Sequence, residues 1–126
     1  MSKTAISPDL APAAIGPYSQ AIVAKDLLFT SGQLPIDPAT GEIPKADIQT
    51  HAHQVLVNLA AIAKAAGTDL NKAVKTTVFL TDLDHFSAVN EVYAQYFTQP
   101  FPARSAIQVA ALPLGAVIEV EAIFQL

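Results

Sequence analysis

Phe101-Pro102-Ala103-Arg104-Ser105 opens a run, Ala103 to Leu112, that reads as one strand. Pro113-Leu114-Gly115-Ala116 supplies a turn, and Val117 to Gln125 reads as a second strand. Side chains alternate across a strand. In the first strand Ser105, Ile107, Val109 and Ala111 share one side, and Arg104, Ala106, Gln108 and Ala110 the other. In the second, Ile118, Val120, Ala122 and Phe124 form an unbroken apolar row with Glu119 and Glu121 opposite. If both apolar rows cover one core, Arg104 and Glu119 share the remaining face. A guanidinium and a carboxylate on one concave surface lined by small groups would suit a small anion.

Working outward, 126 residues are expected to form a single domain, 1–126, long enough to bury a core. Apolar residues make up 52% and charged ones 14%, so part of the surface is expected to be covered by another copy of the chain. A net charge of −4 argues against a nucleic-acid groove, which needs clustered Lys and Arg. No apolar run reaches the ~20 residues needed to cross a bilayer. No basic-then-apolar N-terminal segment points to secretion. With no cysteine, disulfides, Cys-based metal sites and thiol nucleophiles are excluded together. The expectation is a cytoplasmic, self-associating protein.

The remaining chain divides by its punctuation. Met1 to Pro17, with three prolines and no periodicity, reads as an extended arm. Tyr18 to Ala24 and Leu27 to Gln33 read as strands joined by a turn at Lys25-Asp26. Asp47 is a candidate N-cap for a helix whose apolar stripe is Ile48, Ala52, Val55, Leu56, Leu59, Ile62 and Ala66, with Gly67 ending it. Val74 to Leu80 is β-branched and aromatic, a further strand. Asp82 or Asp84 can cap a second helix with Phe86, Val89, Tyr93 and Phe97 inward, stopped by Pro100 and Pro102. Two helices cover only one face of such a sheet. The open face, expected to carry Arg104, Ala106, Gln108 and Glu119, would then meet other copies, with a pocket at their boundary.

The chain resembles the RidA (YjgF/YER057c/UK114) family of reactive enamine/imine deaminases over nearly its whole length. The similarity lies in Ala14-Ile15-Gly16-Pro17-Tyr18-Ser19-Gln20, Phe29-Thr30-Ser31-Gly32-Gln33-Leu34-Pro35, Thr40-Gly41-Glu42, and Val74-Lys75-Thr76-Thr77-Val78-Phe79-Leu80 with Asp82-Leu83. It continues in Val89-Asn90-Glu91-Val92-Tyr93, Phe101-Pro102-Ala103-Arg104-Ser105 and Ile118-Glu119-Val120-Glu121-Ala122. Each piece is weak alone; seven in order are specific. The resemblance implies an α+β, chorismate-mutase-like mixed sheet with two helices on one face, assembled as a homotrimer with active sites between subunits. It also implies cofactor-free hydrolysis of 2-iminobutanoate and 2-iminopropanoate to 2-oxo acids and ammonia. The site residues it implies are Tyr18, Ser31, Gly32, Asn90, Arg104, Ala106 and Glu119. Ala106 departs from the cysteine of many relatives.

Each of these residues also has a plainer reading. Arg104 as substrate ligand would grip a carboxylate bidentately, a contact contributing about 1.5–3 kcal/mol; otherwise it is a strand arginine with its head in water. Glu119 would take a proton from an attacking water; otherwise it is one half of a surface ion pair. Glu121 shares its face but lies further along the strand. Tyr18 and Ser31 would relay protons or hold the imine, or are buried hydroxyls with ordinary partners. Gly32 admits a close approach of backbone to substrate, or marks a bulge. Asn90 either touches ligand or ties helix to strand. His51 and His53, two apart on a helix, do not face one another as a metal pair would. Competing functions are a non-catalytic sensor of small carboxylates such as 2-oxo acids and, third, an endoribonuclease, which the acidic balance disfavours.

Overall fold

The computed structural model describes residues 2–126, and its C-terminal strand lies inside a six-stranded sheet. The strands are β1 (Thr4–Ile6), β2 (Ala21–Ala24), β3 (Leu27–Thr30), β4 (Ala73–Leu80), β5 (Ala103–Gln108) and β6 (Ile118–Gln125). Their order is β1-β2-β3-β6-β4-β5; every pairing is antiparallel except β4 with β5. Helix α1 (Ile48–Ala65) links β3 to β4, and α2 (Phe86–Tyr96) makes the crossover between the parallel pair. The fold is α+β, with both helices on one face of a mixed sheet.

Local signals account for the element ends. Asp47 Oδ1 accepts from Thr50 N–H at 2.8 Å and caps α1. Gly67, at φ 83°, takes the left-handed position that ends the helix. Asp82 caps a short turn at Leu83–His85 by accepting from Asp84 N–H, and α2 proper starts after it. The α1 stripe of Ala52, Val55, Leu56, Leu59 and Ile62 is buried against Leu28, Val78, Val120 and Phe124 of the sheet. Val89, Val92, Tyr93 and Phe97 complete the core under α2 and the residue that follows it.

The structure corrects four expectations. The extended arm contributes a strand of its own, since Thr4–Ile6 pairs with β2. The strands beginning near Tyr18 and Leu27 are shorter, spanning Ala21–Ala24 and Leu27–Thr30. The strand expected to reach Leu112 ends at Gln108, with Val109 N–H making one further bond to Leu80 C=O. The largest correction concerns faces. β5 pairs Thr76 with Arg104, Val78 with Ala106 and Leu80 with Gln108, and those three β4 residues are buried beneath the helices. Arg104, Ala106 and Gln108 therefore take the helix side. Glu119 pairs with Phe79, whose other partner is Ile107, so it takes the open side. Arg104 and Glu119 lie on opposite faces. The apolar row of β5 does not point at the core; it points outward, with Ile107 45% exposed. This is tolerated because β5 is an edge strand, where α2 covers the other side.

Candidate functional site

Arg104 sits at the start of β5, under the flank of α2. Its Nη1 donates to Asn90 Oδ1 at 2.8 Å. Its guanidinium carbon lies 4.7 Å from the Tyr93 ring centroid and 5.1 Å from that of Phe86. Such cation–π contacts contribute about 0.5–1 kcal/mol each at exposed sites. Tyr93 is fixed in turn by a buried 2.7 Å hydrogen bond between its hydroxyl and Thr76 Oγ1. Burial pushes the Tyr93 hydroxyl above its usual pKa, with Thr76 and Arg104 opposing, so the ring stays neutral beside the cation. A cleft of about 420 Å³ opens here, lined by Asn90, Tyr93, Ala94, Phe101, Pro102 and Arg104.

The second site lies around Glu119. A cavity of about 580 Å³ is bordered by Tyr18, Ser31, Gly32 and Glu119, by Gln20 and Gln33, and by apolar side chains from three loops. Burial raises the Glu119 pKa above the ordinary carboxylate value, and Glu121, two residues along the same face, raises it further. Gly32 leaves room for the Glu119 carboxylate in its present place: a Cβ there would lie only 2.7 Å from Glu119 Cδ, so the side chain would have to move. Ser31 Oγ donates to Ser19 C=O at 2.6 Å, and Ser31 N–H to Gln20 C=O at 2.9 Å, which ties the cavity wall to the arm. The Tyr18 ring is 51% exposed at the mouth, its hydroxyl accepting a long bond from Ile15 N–H at 3.4 Å.

The seven anticipated residues therefore divide. Tyr18, Ser31, Gly32 and Glu119 meet at one cavity; Asn90 and Arg104 meet at another; Ala106 packs half-buried against the core and borders neither. Sequence reasoning missed three supports. Phe86 and Tyr93 read from the sequence as core stripe, yet they also hold the guanidinium. Gln20 is buried, and its Nε2 donates to the carbonyls of Pro8, Ala11 and Pro12 at 3.2, 3.2 and 2.6 Å, pinning the arm beside the cavity. A glutamine just before an apolar strand was the one available signal.

Fold and geometry define a class: α+β sheet proteins with one helix-covered face, one open face and a cleft holding one charged side chain at each. Comparison with known proteins gives the family. Residues 9–125 match the family model described as Endoribonuclease L-PSP, and the chain belongs to that family, the YjgF/RidA family. It is 60% identical over 121 residues to the RutC family protein y4sK of Sinorhizobium fredii, covering 96% of each chain. It is 53% identical over 118 residues to the 2-iminobutanoate/2-iminopropanoate deaminase of Capra hircus, covering 94% of this chain and 86% of that one. The crystal structure of Escherichia coli TdcF with bound serine superposes with a TM-score of 0.92 at 45% identity, covering 98% of both chains. No helix among the described residues is long and apolar enough to cross a membrane.

Proposed function

We propose that the chain hydrolyses short-lived 2-imino acids, 2-iminobutanoate and 2-iminopropanoate among them, to 2-oxo acids and ammonia, in sites completed between copies of itself. The observation that carries this reading is a pair of charges without counter-charges. Among the described residues, neither Arg104 nor Glu119 has an opposite charge within ion-pair distance. Each stands in a cleft, yet the sheet separates them, so one small molecule touches both only if a second copy brings its Arg104 to the first copy's Glu119. The open face favours such a copy, with Phe29 on β3 40% exposed and Ile107 on β5 45% exposed. Three copies in a ring is the arrangement the family resemblance implies.

In this reading Arg104 binds the substrate carboxylate, and its hold on Asn90 and two aromatic rings fixes the direction of the fork. A protonated imine is already electrophilic. Glu119 takes a proton from water as the water oxygen bonds the imine carbon and the C=N electron pair moves onto nitrogen. It returns that proton to nitrogen, the C–N bond breaks as the carbonyl forms, and the hydroxyl proton departs with ammonia as ammonium. A carboxylate with a raised pKa is suited to both transfers. Tyr18 and Ser31 border the same cavity and hold the imine nitrogen or relay its protons, and Gly32 keeps the approach open. Ala106 contributes at most backbone groups.

Mixing variants tests both activity and shared sites. The assay follows semicarbazide trapping of the imine released by a threonine dehydratase. Arg104→Ala and Glu119→Gln should each be inactive alone. Dissociated and reassembled together at equal amounts, they should recover about a quarter of wild-type activity, since random pairing in a closed ring gives that share of intact sites. No recovery would exclude sites shared between copies, and activity retained by Arg104→Ala would overturn the assignment. A second reading, ligand binding without turnover, is favoured by the TdcF structure's bound serine. It predicts stoichiometric binding of 2-oxo acids and no acceleration in the same assay.

A further inference from the structure

Within a single chain, before a second copy brings its Arg104 to it, the Glu119 cavity is larger and greasier than a methyl or ethyl side chain requires. Its volume of about 580 Å³ falls within the ~300–1,000 Å³ of pockets that enclose whole drug-sized ligands. Tyr18, Ser31, Glu119, Gln20 and Gln33 supply its polar side chains. The rest of the lining is apolar and includes Ile15, Leu34, Ile36, Pro38, Pro113 and Leu114.

Two of these residues are not explained by folding. Leu114 is 62% exposed and holds φ 59°, ψ 21°, a left-handed conformation that a bulky apolar residue seldom adopts. Ile15, on the arm, is 76% exposed. Neither belongs to the core cluster. They reach the rim of one cavity from segments a hundred residues apart in sequence, about the separation of the arm from the β5–β6 turn. The arm is held there by the three carbonyl contacts of Gln20, so this wall is built rather than incidental.

We propose that the site is adapted to 2-imino acids with large apolar side chains, branched aliphatic or aromatic, and that Ile15 and Leu114 determine this specificity. The inference rests on the imine-hydrolysis reading of the same site. The carboxylate end of the substrate is common to all members of the class; the side chain alone distinguishes them. Directed away from Glu119, a four-carbon branched side chain would leave water for the apolar wall, whereas an ethyl group would reach little of it. Each additional buried methylene favours the larger substrate, so two of them should raise kcat/KM about tenfold.

The test uses an L-amino-acid oxidase to generate the imines of leucine and of 2-aminobutanoate, with semicarbazide trapping as the readout. Wild-type protein should accelerate loss of the leucine-derived imine with kcat/KM about tenfold above that for the ethyl substrate. Leu114→Asn, which accepts the left-handed backbone, combined with Ile15→Ser, should bring the ratio close to one. Acceleration of the ethyl substrate with a wild-type ratio at or below one would overturn the specificity while leaving imine hydrolysis standing. A high ratio that persists in the double variant would overturn the assignment to these two residues. Acceleration of neither imine would remove the underlying function and this inference with it.

Discussion

The two clefts are constructed differently. At the Arg104 cleft the charge is braced on every side the chain can supply: Asn90 by hydrogen bond, Phe86 and Tyr93 by their ring faces, and Thr76 behind Tyr93. At the Glu119 cavity the described residues of one chain supply no neutralising partner, and until a second copy brings its Arg104 the charge is partly desolvated and beside a like charge. A braced cation suits a group that must hold one orientation from ground state to product. An unneutralised carboxylate suits a group that must exchange a proton. Binding and proton transfer should therefore fail separately when the two clefts are damaged separately.

The largest expected effect lies on the carboxylate side. Gly32→Ala would place a methyl group where the Glu119 carboxylate stands, so the carboxylate must move. A displacement near 1 Å at a reacting group can cost about a hundredfold in rate. The expected result is a fall in kcat of that order with KM little altered, read in the dehydratase-coupled assay. An equal rise in KM would erase the distinction between the clefts.

A smaller effect is expected on the cation side. Tyr93→Leu removes one ring face from the guanidinium, and should raise KM about three- to tenfold while kcat changes less. Tyr93→Phe keeps the ring and separates the roles. KM should stay near wild type, but Thr76 Oγ1, fully buried, loses its partner at a cost of about 1–3 kcal/mol, visible as a lower Tm. If Tyr93→Phe raises KM as much as Tyr93→Leu does, the brace acts through the hydroxyl and not the ring.

The same contrast explains how far the sequence could be read. The apolar row Ile118, Val120, Ala122 and Phe124, the Asp47 cap, the α1 stripe and Gly67 follow from local chemistry, and all appear where expected. The face of β5 does not follow. Alternation says that Arg104, Ala106 and Gln108 lie together, but not which way the strand is turned. That depends on register with β4, where Arg104 is opposite Thr76. An apolar row on an edge strand resembles a core row until a neighbour is known, and Ile107 reads as inward for that reason. The tie of Gln20 to three carbonyls of the arm is long-range and leaves no periodic trace.

The smallest effect concerns the like charge. Burial is the main cause of Glu119's raised pKa, and Glu121 adds to it. If Glu119 acts as the base, kcat/KM falls as pH drops through its pKa in the free protein, placing that acid limb above the ordinary 4.5. Glu121→Gln removes the lesser cause alone, so the limb should shift to lower pH without returning to the ordinary value. Stability carries the same sign. A carboxyl whose folded pKa is raised binds its proton more tightly when folded, so its contribution is fully present below the unfolded pKa and lost as pH rises through the folded one. Glu119→Gln should accordingly gain Tm relative to wild type at neutral pH and lose that advantage below the ordinary carboxylate range. Glu121→Gln should show a weaker version of the same trend. An acid limb unmoved by Glu121→Gln, with the Tm trend intact, would mean that another group carries the proton and that Glu119 serves the cavity by its charge alone.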